Sequence, residues 1–324
     1  MNKDSRIYVA GHTGLAGGAI LKELIKRSYH KISYETHENL NLEDPNRVFN
    51  WFFEESPEYV FLCAAYTGGI KTAIDNPVDM LLKNARIQNN VIEACYEYNV
   101  KKLLFLGSSC IYPVNGEQPY KEEQLGEGRT DENWSYAIGK LAGIQLVRSY
   151  HCQYNCNFIT AIPCNLYGPN DRYELDSSHV IPALIRKIHE AKVSDKSFVE
   201  AWGTGHVKRE FLHTADFANA CVGLMENHDY GDFHKLPHLM QVFSDGVINV
   251  GSSIETSIVD LATLLCKIIG YEGQIKFNGD NPGVESKLMD SSRIAALGWS
   301  PQISLEDGLQ RVYEDWSHNQ PCSC

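Results

Sequence analysis

Strings of four or five apolar residues alternate with amphipathic stretches through the first half of the chain. The element Arg6 to Ala10, apolar from Ile7 onward, is the first, and a segment of helical periodicity from Ala19 to Lys26 follows it. A second short strand is read near Ile32 to Glu35, and runs at Tyr59 to Ala64 and Leu103 to Leu106 repeat the pattern, with a helix predicted over Asn84 to Tyr98 from Ile87, Val91, Cys95 and Tyr98. Short apolar runs closed by small residues predict strands buried on both faces, as in a parallel sheet. Their alternation with helices predicts an α/β protein built on a doubly wound parallel sheet, a Rossmann arrangement. Farther on, strands are predicted at Phe198 to Trp202 and Val247 to Val250, and helices over Ala215 to Met225, Ser257 to Ile269 and Leu305 to Trp316. The expected division is a dinucleotide-binding domain over residues 1–169, rejoined by segments near 215–225 and 247–257. A smaller, interleaved α/β substrate-binding domain takes most of 170–324, with the substrate between the two.

The ends of these strands carry the candidate chemistry. Gly11-His12-Thr13-Gly14-Leu15-Ala16-Gly17 follows the first strand. Glycines at 11, 14 and 17 permit a tight turn, backbone approach to a pyrophosphate at a helix N-terminus, and helix packing on the strand. After the second strand an acid favours a ribose diol and a base favours a 2′-phosphate; Glu35 stands beside His37, which leaves NADP(H) and NAD(H) both open. The fourth strand breaks into Gly107-Ser108-Ser109-Cys110-Ile111-Tyr112-Pro113, which reads equally as a Ser-rich turn or as a reactive edge. Residues 117–134 are polar and glycine-containing, and read as a loop across the sheet end. Tyr136 and Lys140 then lie one helical turn apart, where an ammonium would lower a phenol's pKa.

Composition removes several alternatives. The 324 residues are 43% hydrophobic, enough for a sizeable core, and the net charge of -12 comes with scattered Lys and Arg. No basic stripe is offered to nucleic acid or an anionic membrane. No apolar run approaches the roughly 18–20 residues of a membrane span, and Met1 to Arg6 lacks a signal-peptide core, so a cytoplasmic protein is expected. The ten cysteines show neither zinc-ribbon nor redox spacing, so most are expected to be buried free thiols, with Cys322 and Cys324 on a frayed tail. His206, His213, His228, His234 and His238 lack metal-ligand spacing, so no metal is expected.

Glycine turn, strand-end serine and Tyr136 with Lys140 together resemble the extended short-chain dehydrogenase/reductase superfamily. Within it, further phrases resemble the GDP-L-fucose synthase family over nearly the whole chain: Gly68-Gly69-Ile70, Leu103 to Pro113, Asn165 to Pro169, Ser178 to Leu184, Trp202-Gly203 and Arg209 to His213. The resemblance implies 3,5-epimerisation and NADPH-dependent 4-reduction of a GDP-4-keto-6-deoxy-hexose. It implies Ser108, Tyr136 and Lys140 for reduction, with Cys110 as base and His179 as acid for epimerisation. Implied cofactor contacts are Gly11, Thr13, Gly14, Leu15, Gly17, His37, Asn41, Leu106, Gly107, Lys140, Pro163, Asn165, Leu166 and His179. Implied substrate contacts are Ser109, Lys187, Trp202 and Arg209, and a homodimer is implied as well.

The chain departs from that family at Thr13, Lys187 and Asn281-Pro282-Gly283, where Arg, Arg and Pro-Asp-Gly are usual. One alternative is therefore a 4-reductase alone, acting on another GDP-linked 4-keto sugar such as a 6-deoxy-heptose. A sugar-nucleotide dehydratase fits less well, because Thr130-Asp131-Glu132 precedes the helix instead of ending the fourth strand. A non-catalytic dinucleotide sensor is the reading from another class, and the presence of both Tyr136 and Lys140 opposes it.

Overall fold

The glycine turn lies where the strand order of a parallel sheet reverses. In this computed structural model, which describes residues 1–68, 70–128, 130, 134–175, 178–235, 246–279 and 284–318, β1 (Ile7–Ala10) leads into α1 (Leu15–Lys26). β2 (Ile32–Ser33) then pairs with one side of β1, and after α2 (Pro45–Glu55) the strand β3 (Tyr59–Leu62) pairs with the other. Ligands of open α/β sheets collect beyond the carboxyl ends of strands at such a reversal. Gly69, Asp131, Glu132, His238, Asn281 to Gly283, Cys322 and Cys324 lie outside the described residues.

The sheet extends through α3 (Ile70–Asp75), α4 (Pro77–Glu97), β4 (Lys102–Leu106), α5 (Trp134–Tyr154) and β5 (Phe158–Pro163). The chain then builds β6 (Asn165–Tyr167), α6 (Val180–Val193), β7 (Phe198–Ala201), β8 (Lys208–His213) and α7 (Thr214–Asn227), and returns as β9 (Val247–Val250). The resulting order is β2-β1-β3-β4-β5-β9, every pairing parallel. Beyond it come β10 (Glu255–Ser257), α8 (Ile258–Ile269), β11 (Gln274–Phe277), α9 (Ser292–Ala296) and α10 (Leu305–His318). A small sheet of order β10-β8-β6 and a β11-β7 pair belong to this second part. One core fills the large sheet's faces, and another gathers Ile181, Ile185, Leu261, Leu265, Leu309 and Val312 from α6, α8 and α10.

Local chemistry sets the element ends. Asp44 accepts from the Asn46 and Arg47 N–H groups and Pro45 opens α2, while Ser257 caps α8 and Gly270 ends it in the left-handed conformation. The helix expected from Asn84 starts two turns earlier, at Pro77. Its buried face includes Asn84 and Gln88, polar residues that interrupt the apolar period. They are satisfied across the packing: Asn84 exchanges hydrogen bonds with the Tyr66 backbone, and Gln88 donates to Gly139 O at 2.8 Å. β5 and β8 have no counterpart in the pattern reading; the latter carries Lys208, Arg209 and a fully buried Glu210.

Candidate active site

At the reversal point, Gly11 adopts φ +85°, and a Cβ there would stand 2.7 Å from the Ala64 Cα beyond β3. A Cβ on Gly17 would lie 2.2 Å from Gly11 O, so this glycine lets α1 close on the turn. Gly14 differs: a Cβ there would meet only Gly11 O, at 3.4 Å. Gly14 is also the N-cap of α1, with no side-chain cap and no acid in the first turn. Thr13 and Gly14 are exposed, Leu15 is half-buried, and the first N–H groups of the helix are left for an anion. His12 Nδ1, in the same turn, is buried without a hydrogen-bond partner. These features fit a dinucleotide's pyrophosphate.

The flanking cofactor candidates are placed less uniformly. His37 is exposed, and Glu35 accepts from Asn39 at 3.0 Å. Asn41 Oδ1 accepts from the Glu43 N–H at 2.9 Å, which commits its side chain to the turn before α2. Half-buried Pro163 ends β5, whereas Asn165 and Leu166 belong to β6 of the small sheet, with Asn165 Nδ2 donating to Glu210 O at 2.8 Å.

β4 ends as its buried run implied. Gly107 N donates to Ala161 O at 2.9 Å, Ser108 is extended, and Ser109–Ile111 forms one 3₁₀ turn. Ser108 and Ser109 are half-buried, while Cys110 is buried. The turn is held from behind: Tyr112 OH donates to Asn249 Oδ1 at 2.6 Å and its ring stacks on Tyr120 with centroids 5.1 Å apart. Asn249 N in turn donates to Glu122 Oε1 at 2.9 Å, and Glu122 pairs with Arg293 at 3.2 Å.

Against this turn α5 sets Tyr136 and Lys140. Lys140 is buried, its Nζ donates to Leu106 O at 2.8 Å, and it lies 5.8 Å from the Tyr136 ring centroid. Burial pulls the Lys140 ammonium down to about 8, opposed by the nearby thiols of Cys110 and Cys63. The Tyr136 phenol is pushed up, by burial first and by Cys110 second. This reverses the expectation that Lys140 lowers the phenol: the ammonium is directed at a carbonyl, and desolvation of the phenolate outweighs it. Cys110, Tyr136 and Lys140 thus share one site.

The remaining candidates surround the second core. His179 stands at the N-cap position of α6 without a side-chain cap hydrogen bond, is more than half exposed, and places Nδ1 3.5 Å from Asp171 Oδ1. Lys187 Nζ donates to Glu200 O at 3.1 Å and lies 5.7 Å from the ring centroid of Trp202, which is 70% exposed. Arg209, on β8, donates through Nη1 to Lys208 O and to Val284 O at 2.8 Å. Two residues escaped the sequence reading. Cys63 follows β3 and reaches Lys140 only through strand pairing; Asp171 sits in a Gly-Pro-Asn-Asp loop that reads locally as a turn. Among the described residues no three His, Cys, Asp or Glu side chains are placed to share a metal ion, and no helix is long and apolar enough to cross a membrane. The eight described cysteines are thiols.

Comparison with known proteins matches residues 7–237 to the NAD dependent epimerase/dehydratase family. GDP-L-fucose synthase 1 of Arabidopsis thaliana is 43% identical over 324 residues, covering 99% of this chain and 96% of that protein. Among solved structures, a GDP-6-OMe-4-keto-L-xylo-heptose reductase from C. jejuni is similar with TM-score 0.93 and 36% identity, over 99% of each chain. A GDP-mannoheptose C4 reductase from Campylobacter jejuni with NADP bound has TM-score 0.88 and 36% identity, over 98% of this chain and 99% of that one.

Proposed function

The chain belongs to the NAD dependent epimerase/dehydratase family, among the GDP-L-fucose synthases, and from that premise we propose that it converts a GDP-4-keto-6-deoxy-hexose to GDP-L-fucose. It is an NAD(P)-dependent sugar-nucleotide epimerase/reductase; the proposal is 3,5-epimerisation followed by NADPH-dependent 4-reduction. The observation that carries it is the Cys110 thiol set beside both Tyr136 and Lys140, so that one ketone meets a reduction set and an α-proton base. Residues 1–169, with 215–225 and 247–257, are assigned to the cofactor, and most of 170–324 to the substrate.

Each hydrogen to be inverted lies α to the carbon-4 ketone. Cys110 removes it, the charge spreads onto the ketone oxygen, and His179 returns a proton from the opposite face. Thiol and imidazole suit this exchange because their ordinary pKa values, about 8.5 and 6.5, bracket neutrality. Ser108 donates a hydrogen bond to the same oxygen. Tyr136 keeps its proton in its buried setting and delivers it there as carbon 4 is reduced. Lys140 orients the strand end through Leu106 O and supplies positive charge near the developing alkoxide. A reduced nicotinamide, when bound, supplies the hydride. Gly11, Thr13, Gly14, Leu15 and Gly17 would hold its pyrophosphate, with His37, Asn41, Leu106, Gly107, Pro163, Asn165 and Leu166 along the rest. Ser109, Lys187, Trp202 and Arg209 are assigned to the sugar nucleotide, Arg209 to diphosphate oxygens. NADP(H) is favoured because a similar reductase holds NADP. A homodimer in the cytoplasm completes the proposal.

Likeness to the heptose reductases favours a second reading, 4-reduction alone on a GDP-linked 4-keto heptose. Turnover of GDP-4-keto-6-deoxy-mannose in deuterated water, with NADPH and NADH in separate runs and the product identified by NMR, decides between them. The expected result is GDP-L-fucose carrying deuterium at carbons 3 and 5. Reduction without exchange selects the second reading, and cofactor binding without oxidation on any keto sugar nucleotide overturns both.

A further inference from the structure

Among the described residues, one buried carboxylate has an oxygen without a partner. Asp171, in the loop after β6, has a side chain only 5% exposed. Its Oδ1 accepts from the Arg172 N–H at 2.8 Å and stands 3.5 Å from His179 Nδ1, while its Oδ2 is buried without a hydrogen-bond partner. Buried carboxylate oxygens are ordinarily paired, because losing hydration without compensation is costly. The nearby arginines are engaged elsewhere: Arg172 Nη1 donates to Thr67 O at 3.4 Å, and Arg186 donates to Tyr173 O at 3.0 Å and Glu190 Oε1 at 2.7 Å. Burial, then the charge of Asp171, pushes the Tyr173 phenol up.

The loop that carries this carboxylate is pinned. Gly168 packs so closely on α7 that a Cβ would lie 2.0 Å from Thr214 Oγ1. Asn170 takes φ 70°, with its amide lying where a Cβ on Gly18 of α1 would come within 2.8 Å. Asp171 is therefore held between the glycine turn and the start of α6. His179, by contrast, is 57% exposed in its side chain, with its Nδ1 edge toward the carboxylate.

We propose that Asp171 is the positioning residue for His179, holding the imidazole with Nδ1 toward the carboxylate so that Nε2 faces the substrate. This rests on the reading of His179 as the epimerisation acid. A separation of 3.5 Å is longer than a hydrogen bond and within one small side-chain rotation of one. Closing it would give Oδ1 a second donor beside the Arg172 N–H and select the neutral tautomer protonated at Nδ1, while a small turn of the carboxylate would bring the unpaired Oδ2 to the same ring edge.

The test is nitrogen-15 NMR of the histidines in the full-length chain, with the His179 signal assigned by loss in His179→Gln. In the wild type the neutral ring is expected to carry its proton at Nδ1. In Asp171→Asn the Nδ1 preference is expected to disappear. Hydrogen exchange at carbons 3 and 5, measured relative to hydride transfer, should fall by roughly 10-fold to 100-fold, with partial recovery in Asp171→Glu. An Nε2–H ring in the wild type overturns the proposal whatever the stability of the variants. So does exchange falling only in step with hydride transfer. Absence of exchange in the wild type overturns the functional reading instead, and the NMR tautomer assignment still decides the pair.

Discussion

Cys110 and Tyr136 owe their chemistry to surroundings that their own segments do not supply. The thiol is carried on a 3₁₀ turn braced by Tyr112 and Asn249, and the phenol is pushed up by burial although Lys140 is four residues away on the same helix. The i,i+4 spacing was legible because helical geometry is local. The direction of the phenol's shift was not, because desolvation depends on what other elements cover it. If thiol and phenol divide the work as proposed, Cys110→Ser should slow exchange at carbons 3 and 5 by about 100-fold or more, since a positioned base contributes roughly 10²–10⁴-fold. Reduction of a ketone already epimerised should fall by less than about 10-fold. Equal losses in the two assays would remove the division of labour.

The strand–turn–helix unit of β1 and α1 separates two roles that a glycine pattern alone merges. Gly17 is needed by the fold, since any side chain there meets Gly11 O, whereas Gly14 has ordinary contact distance around a would-be Cβ and faces the proposed pyrophosphate. Gly17→Ala should therefore cost about 2–4 kcal/mol in denaturant melts. Gly14→Ala should melt nearly as the wild type yet weaken NADPH binding by at least about 10-fold in a fluorescence titration; unaltered affinity would place the cofactor elsewhere. α4 shows the opposite limit of pattern reading. Its first two turns precede the apolar period that begins at Ile87, and the buried amides of Asn84 and Gln88 are acceptable only once Tyr66 and Gly139 supply partners from distant segments.

Across the molecule, buried acids tie the small sheet to the segments around it. Glu210 is fully buried, accepts from the N–H groups of Ser253 at 2.7 Å and Met289 at 3.0 Å, and is pushed up by burial to about 7. A carboxyl raised above its unfolded value binds its proton more tightly when folded. It contributes stability that is fully present below the unfolded pKa and lost as pH rises through about 7. Glu122, also pushed up to about 7 by burial against the pull of Arg293, acts in the same window. Glu210→Gln should therefore roughly halve the fall in melting stability between pH 5 and 7.5, a change of about 2–3 kcal/mol at most. Scanning calorimetry at stepped pH measures it, and an unchanged slope would deny Glu210 its neutral form. The alternation of strands and helices, the glycine turn and the serine, cysteine, tyrosine and lysine phrases could be read directly, because period, turn chemistry and helical spacing act over a few residues. Cys63 beside Lys140, Asp171 beside His179, the raised phenol and the buried Glu210 could not, because each arises when segments far apart in the chain exclude water together and leave charges to find partners across the fold.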